Sequence, residues 1–226
     1  MPTHGRECRR LPLEVPARLR LALYDAGGAA AADQWTFTHG GLPGPVLMEQ
    51  AGRALVRRIR ACDAHARRLL VLAGAGNNGG DGYVAARHWC RLGGAATVLA
   101  YRPPKPDTDA AWAADLAKDA GVEICTAADA DTVAAELDAR LTACDVVLDA
   151  VFGTGITAPL RASARTWLST VAAALRAADV FVMAVDAPSG IDASNGTLLE
   201  AHLSADETVV MGFHKLGLWV WPARGD

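Results

Sequence analysis

Short apolar runs recur along this chain, and a stretch of helical periodicity separates most of them from the next. Arg68–Gly74 (RLLVLAG), Ala95–Tyr101 (AATVLAY), 121–126 (GVEICT), Cys144–Gly153 (CDVVLDAVFG), Asp179–Gly190 (DVFVMAVDAPSG) and Asp206–Gly212 (DETVVMG) read as strands. Runs this uniformly apolar suit strands buried on both faces. Helices are expected from the glycine turn through about Leu92, from Asp107–Asp109 to Asp119, over Asp129–Leu141 and over Arg161–Ala178. Asp107, Thr108 and Asp109 are candidate caps for the second of these. Two more helices come first. Leu19–Gln34 is weakened by Gly27 and Gly28, whereas Pro45–Cys62 starts with a proline that a first turn tolerates and carries Val46, Leu47, Ala51, Leu55 and Ile59 at core-facing spacing. Alternation of this kind dictates an α/β domain with a mostly parallel sheet covered on both faces. Residues 1–18 read as a disordered or loosely attached tail, and 19–226 as a single domain.

Composition narrows the function classes. At 226 residues the chain can bury a full core, and its formal net charge of −3 lacks the clustered basic surface of a nucleic-acid binder. No apolar run reaches the ~20 residues of a membrane span, and the N-terminus lacks the apolar segment of a secretory signal. The five cysteines are scattered, with no C-x-x-C pair, as expected of free thiols in a reducing cytoplasm.

In open parallel sheets ligands bind beyond the carboxyl ends of the strands. Three strands here end in polar, glycine-bearing loops: Gly74–Gly82 (GAGNNGGDG), Asp149–Gly155 (DAVFGTG) and Asp186–Asp192 (DAPSGID). The first is no Walker A loop, because no Lys follows its glycines. It matches G-x-G-x-x-G nominally, but the acidic residue expected about 20 positions later is missing, since the second strand ends at Tyr101-Arg102. A tight turn tolerated by asparagines, or phosphate contact through helix N-terminal amides, both remain open from the glycines alone.

The segments GAGNNGGDGYVAARHW, DAVFGTGI, VDAPSGID and HKLGL, in this order, resemble the motifs of the NAD(P)H-hydrate epimerase family (the YjeF N-terminal domain), and GLPGPVLMEQAGRAL (41–55) is similar to its N-terminal helix motif. The resemblance runs from about residue 20 to 220. It implies a Rossmann-like three-layer α/β/α sandwich that interconverts the R and S forms of hydrated NADH and NADPH (NADHX and NADPHX) at C6, so that an S-specific dehydratase can repair both. It also implies a bound potassium ion, a cytoplasmic setting and frequent homodimers. Carried over position by position, Asn77, Asn78, Gly79, Gly80 and Asp81 contact substrate. Asn78, Asp149 and Ser189 hold potassium. Gly153, Thr154, Gly155, Ile156, Thr157, Ala158 and Pro159 wrap the phosphate region, and Asp186 meets the substrate near the reacting ring.

The residue chemistry agrees with that assignment. Potassium wants oxygen ligands, which an Asn carbonyl, an Asp carboxylate and a Ser hydroxyl supply. Glycines at 79, 80, 153 and 155 would leave backbone amides open to a pyrophosphate. Epimerisation at C6 destroys and rebuilds a stereocentre bearing a hydroxyl, through an iminium or through ring opening. Either route needs a proton donor and acceptor within ~3 Å of that oxygen, and Asp186 is the candidate.

Blander roles stand beside these. Asp186 could cap its turn, and Asp81 could cap the helix or orient the asparagines. Ser189 does not lie in a G-x-S-x-G elbow, so a hydrolase is disfavoured. His88 reads as structural or partly exposed, Trp219 and Trp221 as packing at an interface or the domain edge rather than a base-stacking platform, and Lys215 either closes over the site or is a solvated loop residue outside it. Two departures from the family pattern are Ala187, where a larger apolar residue is usual, and an end soon after KLGL, where members continue through another strand or into a dehydratase domain. The rival reading is a catalytically inactive binding or scaffold module, which should lose the Asn pair or the acidic ligands. This chain keeps them.

Overall fold

The structure, a computed structural model, describes residues 22–156 and 159–223. The expected tail, Thr157, Ala158 and the last three residues lie outside them. Element order is β1 (Leu23–Tyr24), α1 (Ala26–His39), α2 (Gly44–Cys62), β2 (Arg68–Ala73), α3 (Asn77–Arg91), β3 (Ala95–Ala100), α4 (Asp109–Asp119), β4 (Glu123–Thr126), α5 (Ala130–Leu141), β5 (Val146–Ala150), α6 (Ala162–Ala178), β6 (Phe181–Val185), β7 (Glu207–Val209), β8 (His214–Lys215) and a 3-10 turn (Leu216–Trp219).

Six strands form one sheet in the order β4-β3-β2-β5-β6-β7, with every neighbouring pair parallel. Numbered from β2, this is the doubly wound order 3-2-1-4-5-6, whose direction of winding reverses between β2 and β5. Strand periodicity sends Leu69, Val71 and Ala73 into the layer filled by α2, α3 and α4, where Leu55, Ile59 and Trp89 pack, and Leu70 and Leu72 into the layer of α5 and α6, where Leu137, Trp167 and Leu168 pack. Covered on both faces, the sheet is the middle of three layers, as the resemblance implied. Trp167 is buried and satisfies its indole N–H on the Ala127 carbonyl at 2.6 Å. Among the described residues no helix is long and apolar enough to cross a membrane.

The N-terminal region departs from expectation. Instead of one helix over 19–34, Leu23–Tyr24 pair in parallel with His214–Lys215, and α1 begins afterwards. Asp25 caps it, accepting from the Gly28 N–H at 2.6 Å, which stops the helix from extending backwards. This small second sheet was not expected. It ties the region before the main sheet to the segment after β7.

Candidate active site

The three polar loops converge where the sheet reverses its winding, after β2, β5 and β6. The first is not a loop along its whole length. Helix α3 starts at Asn77 with Gly76 as its cap and no side-chain cap bond, so Asn77–Asp81 form its first turn. The earliest helical bond in the turn is Gly80 N to Gly76 O at 3.0 Å, which leaves the N–H groups of Asn77, Asn78 and Gly79 without intrahelical partners, as at any helix N-terminus. With the helix dipole behind them they form an anion-attracting surface. Asp81 lies one turn inside the helix, on the face of Asn77 and Asn78, so it does not cap.

Gly79 and Gly80 are buried, and packing demands their size. A Cβ at Gly79 would overlap the Gly74 carbonyl, and one at Gly80 would strike the end of Met48. Gly155, by contrast, faces open space on the turn that joins Gly153 to Ile156, where a ligand has room. Thr154 lies on the same turn and Pro159 is exposed beyond it.

At the end of β5 the Asp149 carboxylate is fully buried. It accepts from Ser189 Oγ at 2.5 Å, Ser189 N at 2.7 Å and Val151 N at 3.2 Å. Burial pushes its pKa up to about 6, against the lowering effect of those hydrogen bonds. Ser189 Oγ also accepts from Phe152 N at 2.9 Å and lies 3.3 Å from Phe152 O. The Asn78 amide reaches the neighbouring Gly153, and its buried Nδ2 meets no partner among the described residues. The O and N ends of an amide are interchangeable in shape, so rotation would aim a carbonyl oxygen from that orphaned position. An orphaned amide, an uncompensated buried carboxylate, a hydroxyl and a backbone carbonyl thus lie along one seam, and this oxygen set fits a large monovalent cation.

Asp186 sits at the end of β6 with φ = 68°, a left-handed conformation that costs a non-glycine residue about 1–3 kcal/mol. The Ala187 N–H bonds back to Val185 O at 2.8 Å, closing a three-residue turn around it. Its Oδ1 accepts from Met211 N at 3.0 Å and pairs with Lys215 Nζ, which also donates to Met211 O at 2.6 Å. Lys215 is 3% exposed, so it is no solvated loop residue. Two more carboxylates share this corner. Asp81 has its pKa raised well above the usual value, first by burial and then by the charges of Asp186 and Asp33. Asp33, on α1, has its pKa raised by burial and by Asp186, while Lys215 acts the other way. Sequence reading missed Asp33 altogether, and no local signal marks it. The HKLG motif was the available pointer to Lys215.

His88 contacts Glu49 at 2.5 Å beside Arg87, in the seam between α2 and α3, as its structural reading expected. The exposed Trp219 and Trp221 are not core residues.

The sequence profile of the family described as YjeF-related protein N-terminus matches residues 44–217. The chain belongs to this family. Among its relatives, the NAD(P)H-hydrate epimerase of Rhodopirellula baltica is 35% identical over 182 residues, covering 78% of this chain and 70% of that protein. The NAD(P)H-hydrate epimerase of Limosilactobacillus fermentum is 34% identical over 194 residues, covering 83% and 84%. A bifunctional NAD(P)H-hydrate repair enzyme of Thermofilum pendens is 35% identical over 187 residues, and the chain spans only 34% of its length. The crystal structure of the yeast protein ynu0 superposes with a TM-score of 0.77 at 21% identity, covering 87% of this chain and 83% of that one, so the two chains share a fold. The family match takes in α2 through Lys215 and leaves β1 and α1, with Asp33, outside it.

Proposed function

We propose that this chain is an NAD(P)H-hydrate epimerase, an isomerase that inverts C6 of hydrated NADH and NADPH so that both epimers can be repaired. The observation that supports it most is the convergence of Asn78, Asp149, Ser189 and Asp186 from three loops at the sheet's switch point, in a chain whose relatives carry that name. The free amides of Asn77, Asn78 and Gly79, with the 153–159 segment, would hold the pyrophosphate. Asn78, Asp149, Ser189 and the Phe152 carbonyl would hold potassium, which when bound supplies a fixed positive charge beside the substrate and ties the loops together. Asp186 stands at the other side of this corner as the group that takes and returns the proton of the C6 hydroxyl. Asp81, whose pKa is raised well above the usual value by burial and then by the charges of Asp186 and Asp33, would face a substrate oxygen there. In the iminium route a proton delivered through Asp186 to the C6 hydroxyl lets it leave as water while the ring nitrogen's lone pair forms the iminium, and water adding to the opposite face returns that proton to Asp186 as the hydrate is restored.

The reading includes functional coupling to a dehydratase, a cytoplasmic setting in which the thiols of Cys62, Cys90, Cys125 and Cys144 stay reduced, and a homodimer. The test mixes the purified protein with R and S NADHX, an S-specific dehydratase and potassium. Consumption of the R form should accelerate severalfold or more. An R form consumed no faster than in the protein's absence would sink the proposal.

A further inference from the structure

We propose that Lys215 is a positioning residue for the epimerisation, pinning one carboxylate oxygen of Asp186 so that the other is presented to the substrate. This rests on the function proposed above and assigns the group that makes Asp186 competent in it.

The geometry carries the argument. Asp186 stands on a left-handed, three-residue turn, and such a turn does not fix χ1 and χ2. Two donors do: the Met211 N–H at 3.0 Å and the Lys215 ammonium, both on Oδ1. Lys215 is itself held by the Met211 carbonyl at 2.6 Å, so Met211 braces both partners at once, its N–H on the acid and its C=O on the base. Oδ2 meets no donor among the described residues, and the Asp186 side chain stays 13% exposed while that of Lys215 is 3% exposed. The lysine is therefore shut off from the cleft by the acid it holds. That arrangement suits a group that acts through Asp186 rather than on substrate.

A buried lysine needs more than a partner acid, since an ammonium is costly to desolvate. Its backbone is fixed by the parallel pairing of Tyr24 with Lys215, and the strand that does this, β1, leads into the helix that carries Asp33 to the same corner. Among the described residues, the charged groups that act on Asp186 are thus Lys215 from β8, Asp33 from α1 and Asp81 from α3, one cation among three carboxylates counting Asp186 itself. A lysine with only a packing role would not need its charge placed on the acid that the reaction uses.

The test compares wild type, Lys215→Met, Lys215→Arg, Asp186→Asn and the double variant Asp186→Asn/Lys215→Met in the coupled R-NADHX assay. Lys215→Met should lower kcat by about 100-fold with KM within threefold, since loss of orientation falls on the transition state. Lys215→Arg should recover at least tenfold of that loss. Should the unpaired acid of Lys215→Met prevent folding, the double variant carries the test, because it buries no lone charge. Adding Lys215→Met to Asp186→Asn should then cost less than twofold, as expected of two residues acting as one unit. Retention of wild-type kcat in Lys215→Met, a loss confined to KM, or a further tenfold loss in the double variant would each overturn the proposal. A wild type without activity would instead remove the epimerase reading itself.

Discussion

Ser189 donates its hydroxyl at 2.5 Å and its backbone N–H at 2.7 Å to the two carboxylate oxygens of Asp149, joining the ends of β6 and β5 through one buried acid. These donors solvate the carboxylate in part, and among the described residues no positive group lies against it. The charge of Asp149 therefore sets the stability of this corner and, on the proposed function, its affinity for potassium.

In cation-free buffer the sign is fixed by burial. The folded pKa of about 6 lies above the ordinary value of 3.8, so folding favours the protonated acid. The associated stability is present below about pH 4 and is lost as pH rises through about 6, a change of about 2–3 kcal/mol. Urea unfolding of wild type and Asp149→Asn at pH 4 and 7.5 isolates the effect, because the amide does not titrate. The stability of wild type relative to the variant should fall by that amount, and a difference that does not change with pH would contradict the buried-acid account.

Potassium should reverse that loss. At neutral pH and constant ionic strength, replacing choline by potassium should raise the melting temperature by several degrees in a saturable way, since a ligand of the folded state alone stabilises it by mass action. Asn78→Ala should remove most of the gain. An equal gain in the variant would show that the amide is not a ligand.

Asp186→Asn should lower kcat by at least 100-fold, within the range for lost general acid–base catalysis. Asn tolerates the left-handed backbone at 186 and still accepts from the Met211 N–H, so far-UV circular dichroism should stay near wild type, while loss of the counter-charge to the buried Lys215 ammonium should lower the melting temperature by several degrees. Full activity in the variant would remove Asp186 from the proton-transfer role.

Gly79→Ala tests the close approach inside the first turn of α3. The added methyl would overlap the Gly74 carbonyl, backbone against backbone, so about 1–3 kcal/mol of stability should be lost with substrate binding. Gly155→Ala, where nothing crowds the added carbon, should leave unfolding unchanged within ~0.5 kcal/mol. Equal stability losses in the two would refute the packing argument.

The central sheet could be read from sequence because its inner strands β2, β5 and β6 are almost wholly buried and mostly apolar on both faces, and the apolar runs locate β2 through β7 to within a few residues. The two-residue strands β1 and β8 carry no such pattern. Leu23 and Tyr24 are strand only because His214 and Lys215 lie beside them, and that pairing, with the Asp25 cap, displaced the helix expected over 19–34. The same limit governed the site. Asn77–Asp81 were legible as residue types, but a turn and the first turn of a helix look alike in a glycine-rich stretch. Lys215 was left between two roles because a loop lysine gives no local sign that an acid 29 positions away will bury it. Asp33, exposed on an alanine-rich helix, has nothing beside it in sequence to show that its charge acts on Asp186 and Asp81.

The pairing of β1 with β8 makes the reactive corner the last part of the molecule that can be assembled. The sheet from β2 to β7 and the Asp149–Ser189 contact need only residues up to Val209, whereas Lys215 is fixed by a contact between segments from opposite ends of the described chain. Contacts of such long sequence separation form late, after their loop-closure entropy has been met. On the proposed function, a nascent or partly unfolded chain would therefore hold nucleotide phosphate and cation while its acid still swings free, and turnover would report completion of the fold where binding does not.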